Sequence, residues 1–194
     1  TIRKALAMGA HRAVLVTDPA LEGACVHGTA TVLAAALRTL SFDLVLLGVD
    51  STDGTSGLVP AGVAAACRLP YLSAAGRIEP DPAAGTVRVR RISPTGYDLL
   101  EAPMPALIVC TQALGEPRYP SLKGIMGARS REIRTLGLAD LGLDGGSVGG
   151  AAATTSLVGT TTPAARGAAR IIKDPPAEAA RQVVDFLVER WIVQ

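Results

Sequence analysis

The segment from Asp43 to Pro70 contains the residues best suited to bind an anionic ligand. Its apolar run, residues 44–47, ends at Gly48 and is followed by a loop rich in Asp, Ser, Thr and Gly. A helix of small residues is predicted to begin near Gly57. Free N–H groups in the first turn of a helix, together with its dipole, attract negative charge. We therefore predict that this loop holds the phosphate of a nucleotide.

Turn and capping preferences offer a plainer explanation of the same residues. Gly, Ser, Thr and Asp occur in many strand-to-helix turns only because turns and helix N-caps favour them. The loop has neither the Gly-Lys-Ser/Thr ending of a Walker A motif nor the G-x-G-x-x-G pattern. Because it contains no lysine that could reach the outer phosphates, binding without triphosphate hydrolysis fits the loop better.

Apolar runs bounded by turn formers predict the elements around this loop. Runs at 13–16, 44–47 and 105–110 indicate strands buried on both faces, which are typical of a parallel sheet. Residues 30–40 predict a helix, and the turn at 93–96 predicts a hairpin between two alternating strands. We therefore expect an α/β fold, a Rossmann-like parallel sheet with helices on both faces and an antiparallel ribbon.

Composition divides the chain into a nucleotide-binding domain over residues 1–141, an arm rich in Gly, Ala and Thr over 142–176, and a last helix over 177–194. The last helix carries a strong apolar stripe, formed by Val183, Val184, Leu187, Val188, Trp191 and Ile192. Such a stripe on a loose arm suits another subunit as well as its own domain, and we predict that it packs on a partner.

At the other end the chain opens in a helix that leads into a buried strand, so we expect a further strand before Thr1.

A second candidate site lies in the segment from Glu116 to Met126. Two prolines predict an extended entry, and Ser121 is placed to cap a short basic helix. Large apolar residues lie close to its positive charges, namely Leu122, Ile125 and Met126. That combination is typical of a protein-docking surface. From the residues alone, an ordinary amphipathic helix with its apolar side on the core is slightly favoured as the explanation of the pattern.

Charge and cysteine usage exclude several classes of function. A formal net charge of +2 gives no basic footprint for nucleic acid. The three cysteines are isolated and lack C-x-x-C spacing, which argues against disulfides and zinc and for a reducing compartment. No apolar run approaches the ~20 residues that span a bilayer. We therefore expect a cytoplasmic protein without membrane insertion, catalytic residues or bound metal.

Four segments in this order resemble the β subunit of electron transfer flavoproteins, the family that includes the FixA proteins. They are RKALAMGAHRAVLVTD, DLVLLGVDSTDGTSGLVPAGVAAACRLP, MPALIVC and EPRYPSLKGIMGARSREI. The resemblance extends over nearly the whole chain to about Leu141, and the last segment is its most specific signature. The family's opening strand and helix have no counterpart here, in keeping with the strand expected before Thr1.

The resemblance implies an electron carrier subunit rather than an enzyme. It implies a homologous α subunit that holds most of the FAD, while the β subunit binds AMP structurally or, in electron-bifurcating relatives, a second FAD. Electrons would pass from dehydrogenases to a downstream oxidoreductase, and Leu122 matches the leucine that anchors the dehydrogenase. The implied cofactor residues are Gly48, Val49, Asp50, Ser51, Thr52, Asp53, Gly54, Thr55 and Ser56, with Asp53 at the characteristic acidic position.

The loop departs from the family pattern at two places. Gly48-Val49-Asp50 stands where members often have Gly-Lys-Gln, and Asp53-Gly54-Thr55-Ser56 stands where Asp-Gly-Asp-Thr is common. A free-standing adenine-nucleotide-binding module, similar in fold to universal stress proteins, is the alternative that the loop leaves open. A nucleotide α-hydrolase would need a catalytic motif in the first strand and loop, which this sequence lacks.

Overall fold

The computed structural model describes residues 1–51, 54–165, 167, 169 and 171–192. Its internal contacts divide the chain into two compact units, Thr1–Ser156 and Leu157–Gln194, and each is described by itself. The first unit contains both candidate sites.

Helices and strands alternate through the first unit. The α-helices are α1 (Ile2–Ala7), α2 (Val26–Arg38), α3 (Val59–Cys67), α4 (Leu122–Ser130) and α5 (Gly145–Val148). The strands are β1 (Val14–Val16), β2 (Leu44–Gly48), β3 (Tyr71–Asp81), β4 (Thr86–Ser93), β5 (Gly96–Pro103), β6 (Ala106–Cys110) and β7 (Arg134–Leu136). Short 3₁₀ turns cover Pro19–Leu21, Gln112–Leu114, Ala139–Leu141 and Gly150–Ala152. Helix α2 begins before the predicted residue 30, because Cys25 rather than Thr29 occupies its N-cap position.

The main sheet has five strands in the order β2-β6-β3-β4-β5. Strand β6 runs parallel to both β2 and β3, whereas β3, β4 and β5 form an antiparallel ribbon. The pairing of Ser93 with Gly96 closes the predicted hairpin at Pro94-Thr95. The expected α/β fold, with a parallel sheet and an antiparallel ribbon, is therefore confirmed.

Strands β1 and β7 form a separate parallel pair. Among the described residues, β1 and β2 each pair along one edge only. Both strands line one cavity of about 890 Å³, which also contains Leu37, Leu40 and Phe42. Leu46 of β2 is 56% exposed there, so an apolar strand edge lies open to the cavity.

Alternation along β6 builds the core on both faces of the sheet. Leu107 and Val109 pack with Val63 of α3 and with apolar residues of α2, namely Ala30, Leu33 and Leu37. Ala106 and Ile108 point the other way, into a cluster built from β3, β4 and β5. The core is made of Val, Leu, Ile and Ala, in keeping with the 3% aromatic content of the chain.

The segment from residue 142 to Ser156 belongs to the first unit and packs against its other elements. Val148 of α5 is 2% exposed and contacts Val32 of α2 and Leu138. Glycines allow this contact, because a Cβ atom on Gly149 would collide with the backbone carbonyl of Ala20. A Cβ atom on Gly28 would likewise collide with the carbonyl of Val148. Residues 142–156 of the predicted arm thus approach the 3₁₀ turn at Pro19–Leu21 and α2 backbone to backbone.

The second unit contains helix α6 (Pro176–Glu189). Val183, Val184 and Val188 are each about half exposed, at 47%, 53% and 50%. Trp191 follows the helix and is 86% exposed, while Arg190 stacks on Phe186 with its guanidinium carbon 4.6 Å from the ring centroid. The helix thus ends before the predicted residue 194, so Val183, Val184 and Val188 of the predicted stripe lie on it, whereas Trp191 and Ile192 follow its end.

We predict that Gly149→Ala destabilises the protein by about 1 to 3 kcal/mol, the usual cost of overpacking. Gly149 has φ −83°, which any residue can adopt, so the cost is the collision with Ala20 rather than backbone strain. Urea unfolding measures the loss as a lower midpoint at constant slope.

Gly127→Ala is the matched control, because a Cβ atom there meets nothing within 4 Å. Since Gly127 lies inside α4, the change is expected to be neutral or stabilising by up to ~1 kcal/mol. Equal unfolding midpoints for Gly149→Ala and the parent would contradict the described packing of residues 142–156.

Candidate nucleotide site and docking surface

The register between β2 and β6 places the predicted loop. Gly48, the last residue of β2, pairs with Cys110, the last residue of β6. Ligands of open α/β sheets bind outside the carboxyl ends of parallel strands. The loop after β2 and the segment after β6, which leads to α4, therefore leave the sheet at the same edge.

Hydrogen bonds within the loop fold it back on itself. The Ser51 carbonyl accepts from the Thr55 N–H at 3.0 Å, and Ser51 Oγ accepts from the Gly54 N–H at 3.4 Å. Thr55 has φ +43°, an unusual value for a β-branched residue, and Gly57 has φ +63°. Ser51 thus shapes the turn, while Thr55 is held in the left-handed region.

Helix α3 begins just after the predicted position, at Val59. Its N-cap residue is Leu58, which makes no side-chain capping bond, and Pro60 occupies the first turn. Ser56 Oγ accepts from the N–H of Leu58 at 3.5 Å, one step before the helix. Because the first N–H groups of a helix lack partners within it, this end offers backbone donors to an anion.

The predicted cofactor residues lie together on the surface. The described members are all exposed, namely Gly48, Val49, Asp50, Ser51, Gly54, Thr55 and Ser56. Thr52 and Asp53 lie outside the described residues, so their predicted role stays a prediction. No lysine or arginine occurs between Gly48 and Gly57, so backbone N–H groups and hydroxyls would have to bind the phosphate.

The second candidate site is a surface on α4. Ser121 caps this helix as predicted, with its Oγ accepting from the Gly124 N–H at 3.0 Å. Leu122 is 75% exposed, Met126 63% and Ile125 40%, and Ala128 is the one residue of the helix that is buried. These three large side chains, the α4 docking surface below, face solvent rather than the core.

Basic residues border the α4 docking surface. Between α1 and α4 lies a cavity of about 580 Å³ whose lining includes Arg118, Lys123 and Arg131 but no carboxylate. Tyr119, which also lines this cavity, is 97% exposed. Sequence reasoning did not single out Arg118 or Tyr119, although both lie in the segment EPRYPSLKGIM. Their closeness in sequence to the predicted helix was the only sign that they belong to this site. The local sequence does not show which face of a helix stays exposed.

The cysteines have separate environments and are free thiols. Hydrogen bonds from the backbone at Gly28 and Thr154 lower the pKa of Cys25, at the start of α2, to about 7. Burial raises the pKa of Cys110, at the end of β6. Within the described ranges, no three His, Cys, Asp or Glu side chains are grouped as a metal site would need. No helix formed by those residues is both long and apolar enough to span a bilayer.

Comparison with known proteins gives a consistent family. The model of the electron transfer flavoprotein domain matches residues 1–141. An electron transfer flavoprotein subunit beta from Mycobacterium bovis is 37% identical over 193 residues, which cover 99% of this chain and 71% of that protein. The subunit of the same name from Thermoanaerobacterium thermosaccharolyticum is 32% identical over 193 residues, 99% of this chain and 74% of its own length. The caffeyl-CoA reductase-Etf complex subunit CarD of Acetobacterium woodii is 31% identical over 194 residues, which cover 99% of this chain and 73% of that protein.

We predict that Cys25 reacts with iodoacetamide half-maximally near pH 7, since the thiolate is the nucleophile and the pKa is about 7. The rate should rise from pH 6 to pH 8 and level off above it. Cys110, whose pKa is raised, should react slowly over the same range and serves as the internal comparison. Mass spectrometry of the alkylated peptides measures both, and a midpoint for Cys25 above pH 8.5 would contradict the described contacts.

Proposed function

Because this chain belongs to the electron transfer flavoprotein family, whose β subunits carry electrons rather than catalyse reactions, we propose that it is one half of a heterodimer. Its partner is a homologous α subunit that holds most of the FAD. The dimer passes electrons from dehydrogenases to a downstream oxidoreductase. The cytoplasm suits this role, since three free thiols fit a reducing compartment.

The exposed pair Leu122 and Met126 is the observation that carries the proposal. A carrier must bind and release its donors, and small apolar anchors surrounded by charge suit such transient contacts. On α4 the two side chains lie four residues apart on one helix face, next to the basic cavity. A dehydrogenase with an apolar pocket rimmed by carboxylates matches this surface.

The loop from Gly48 to Gly57 is proposed to hold AMP as a structural ligand. Its position after β2, its turn around Ser51 and the uncapped start of α3 support binding of one phosphate by N–H groups. No cation of the loop stands ready to stabilise a transferring phosphoryl group. The nucleotide would therefore stabilise the fold, while the flavin carries the redox chemistry.

Helix α6 is proposed to bind the α subunit. Every described residue of this helix is at least partly exposed, and its large apolar residues are grouped in its second half, from Val183 to Val188. Amphipathic helices gain their stability by burying such a face. A permanent subunit contact suits such a group of residues better than a transient one.

The first test identifies the nucleotides. We expect the complex co-expressed with its α subunit to release one FAD and one AMP on denaturation, as measured by chromatography. In Ser56→Asp the AMP content should fall roughly tenfold or more, because like charges about 4 Å apart repel by about 1 to 4 kcal/mol. FAD should remain, since the change lies in the loop.

Ser56→Asn is the matched control for the nucleotide test. Its side chain can still accept from the Leu58 N–H, but it adds no charge, so AMP should be retained. Two FAD and no AMP from the parent would assign a second flavin to the loop. FAD alone would refute nucleotide binding by this loop, and AMP on a chain purified without any α subunit would favour a free-standing module.

The second test addresses docking. Leu122→Ala is expected to raise the KM for the donor dehydrogenase roughly tenfold or more while flavin content stays unchanged, because it removes a central apolar anchor. Leu99→Ala on β5 is the control, since Leu99 is 67% exposed but lies on the antiparallel ribbon. Equal KM values for Leu122→Ala and Leu99→Ala would contradict the proposed docking role.

A further inference from the structure

Helices α1 and α4 close each other's C-terminal ends, and Arg3 of α1 makes the larger share of these contacts. We propose that Arg3 is a positioning residue for docking, which holds α4 so that Leu122 and Met126 face outward. This inference rests on the proposed docking role of α4. Arg3 itself is not expected to touch the dehydrogenase or the cofactor.

The Arg3 side chain reaches the C-terminal turn of α4. Its Nη1 donates to the carbonyl oxygen of Ala128 at 2.7 Å and to those of Arg129 and Arg131 at 3.1 Å each. The last carbonyls of a helix have no partner within it and carry the negative end of its dipole. A guanidinium at this position therefore satisfies open acceptors and places positive charge where the dipole favours it.

Reciprocal bonds from the α4 segment hold the end of α1. Arg131 Nη1 donates to the Ala10 carbonyl at 2.6 Å, and Arg118 Nη2 donates to the Met8 carbonyl at 3.4 Å. Two of the three cations that line the 580 Å³ cavity, Arg118 and Arg131, are thus hydrogen-bonded to the end of α1. Hydrogen bonds therefore join α1 and α4 at both ends of their contact.

The packed face of α4 lies opposite the α4 docking surface. A Cβ atom on Gly124 would lie 2.5 Å from the Ala7 carbonyl oxygen, so only glycine allows this approach to α1. One turn later Ala128, whose own carbonyl accepts from Arg3, is 4% exposed. Residues two positions apart on a helix point to nearly opposite sides. Contacts at Gly124 and Ala128 therefore turn Leu122 and Met126 away from α1.

Helix α4 needs such support from outside. It has nine residues, and two of them, Gly124 and Gly127, are poor helix formers. Isolated helices this short are marginal in water, even with favourable sequences. Without Arg3 the last turn should fray, and Met126, next to that turn, would lose its fixed position. Apparent affinity then falls with the fraction of molecules that keep the docking geometry.

The test is steady-state electron transfer from a donor dehydrogenase to the heterodimer with Arg3→Gln. We expect the KM for the dehydrogenase to rise roughly three- to tenfold, with kcat at saturation and flavin content unchanged. Arg3→Lys should restore part of the affinity, because an ammonium group still donates to carbonyls. It reaches the three carbonyls less well than the broad guanidinium does. Lys4→Gln, which removes a charge from the same helix, should leave KM unchanged.

Two further measurements separate this inference from the proposed function. Arg3→Gln should speed hydrogen exchange at the amides of residues 126–130 while the amides of β6 keep their protection. In a double-mutant cycle, Arg3→Gln should cost less affinity when Leu122 is already alanine.

The outcomes are distinct. If Leu122→Ala leaves KM unchanged, the docking role itself fails. If Leu122→Ala raises KM but Arg3→Gln does not, docking stands and the positioning role of Arg3 is overturned. A loss of flavin or of β6 protection in Arg3→Gln would also overturn it, because Arg3 would then support the fold in general.

Discussion

The pairing of β6 with both of its neighbours is the constraint on which the first unit depends. Strand β6 is buried on both faces, and its successive side chains enter two different core clusters. Its parallel registers with β2 and β3 leave no freedom in where the following segments start. The starting points of the proposed nucleotide loop after β2 and of the segment toward α4 are therefore set by one ladder of backbone hydrogen bonds.

The apolar surfaces that remain uncovered differ in a way that matches the proposed roles. On α4 the exposed anchors are few and lie beside arginines and a lysine, an arrangement suited to contacts that form and break. On α6 the apolar residues from Val183 to Val188 are more numerous, and the exposed Trp191 follows the helix end. Large aromatic and aliphatic faces of that kind are typical of permanent subunit contacts. Electron carriers need both kinds of contact, since the flavin must stay while the donors change.

Glycines have different structural roles in two parts of the same predicted arm. In GGSVGG, residues 145–150, the missing Cβ atoms let α5 and the following turn approach Ala20 and Glu22 at backbone distance. At Gly159 a Cβ atom would meet nothing within 4 Å. Composition alone treats both as linker, because flexibility and close packing favour the same residue. Only the position of the neighbouring backbone separates the two cases.

Local patterns in the sequence determined strands β1, β2 and β6, the hairpin at Pro94-Thr95, the Ser121 cap and the loop after β2, because each depends on residues close together in the chain. Strands β3 and β7 were not predicted. The start of α2 was misplaced, since Cys25 is a weak capping residue and Thr29 a good one. Tertiary structure alone decided which side of α4 faces solvent and that Arg3 binds carbonyls more than 120 positions away. Such contacts follow from how distant segments meet, which no local preference encodes. The sequence thus determined which chemistry is present, and the packing of α1 against α4 decided how it is presented.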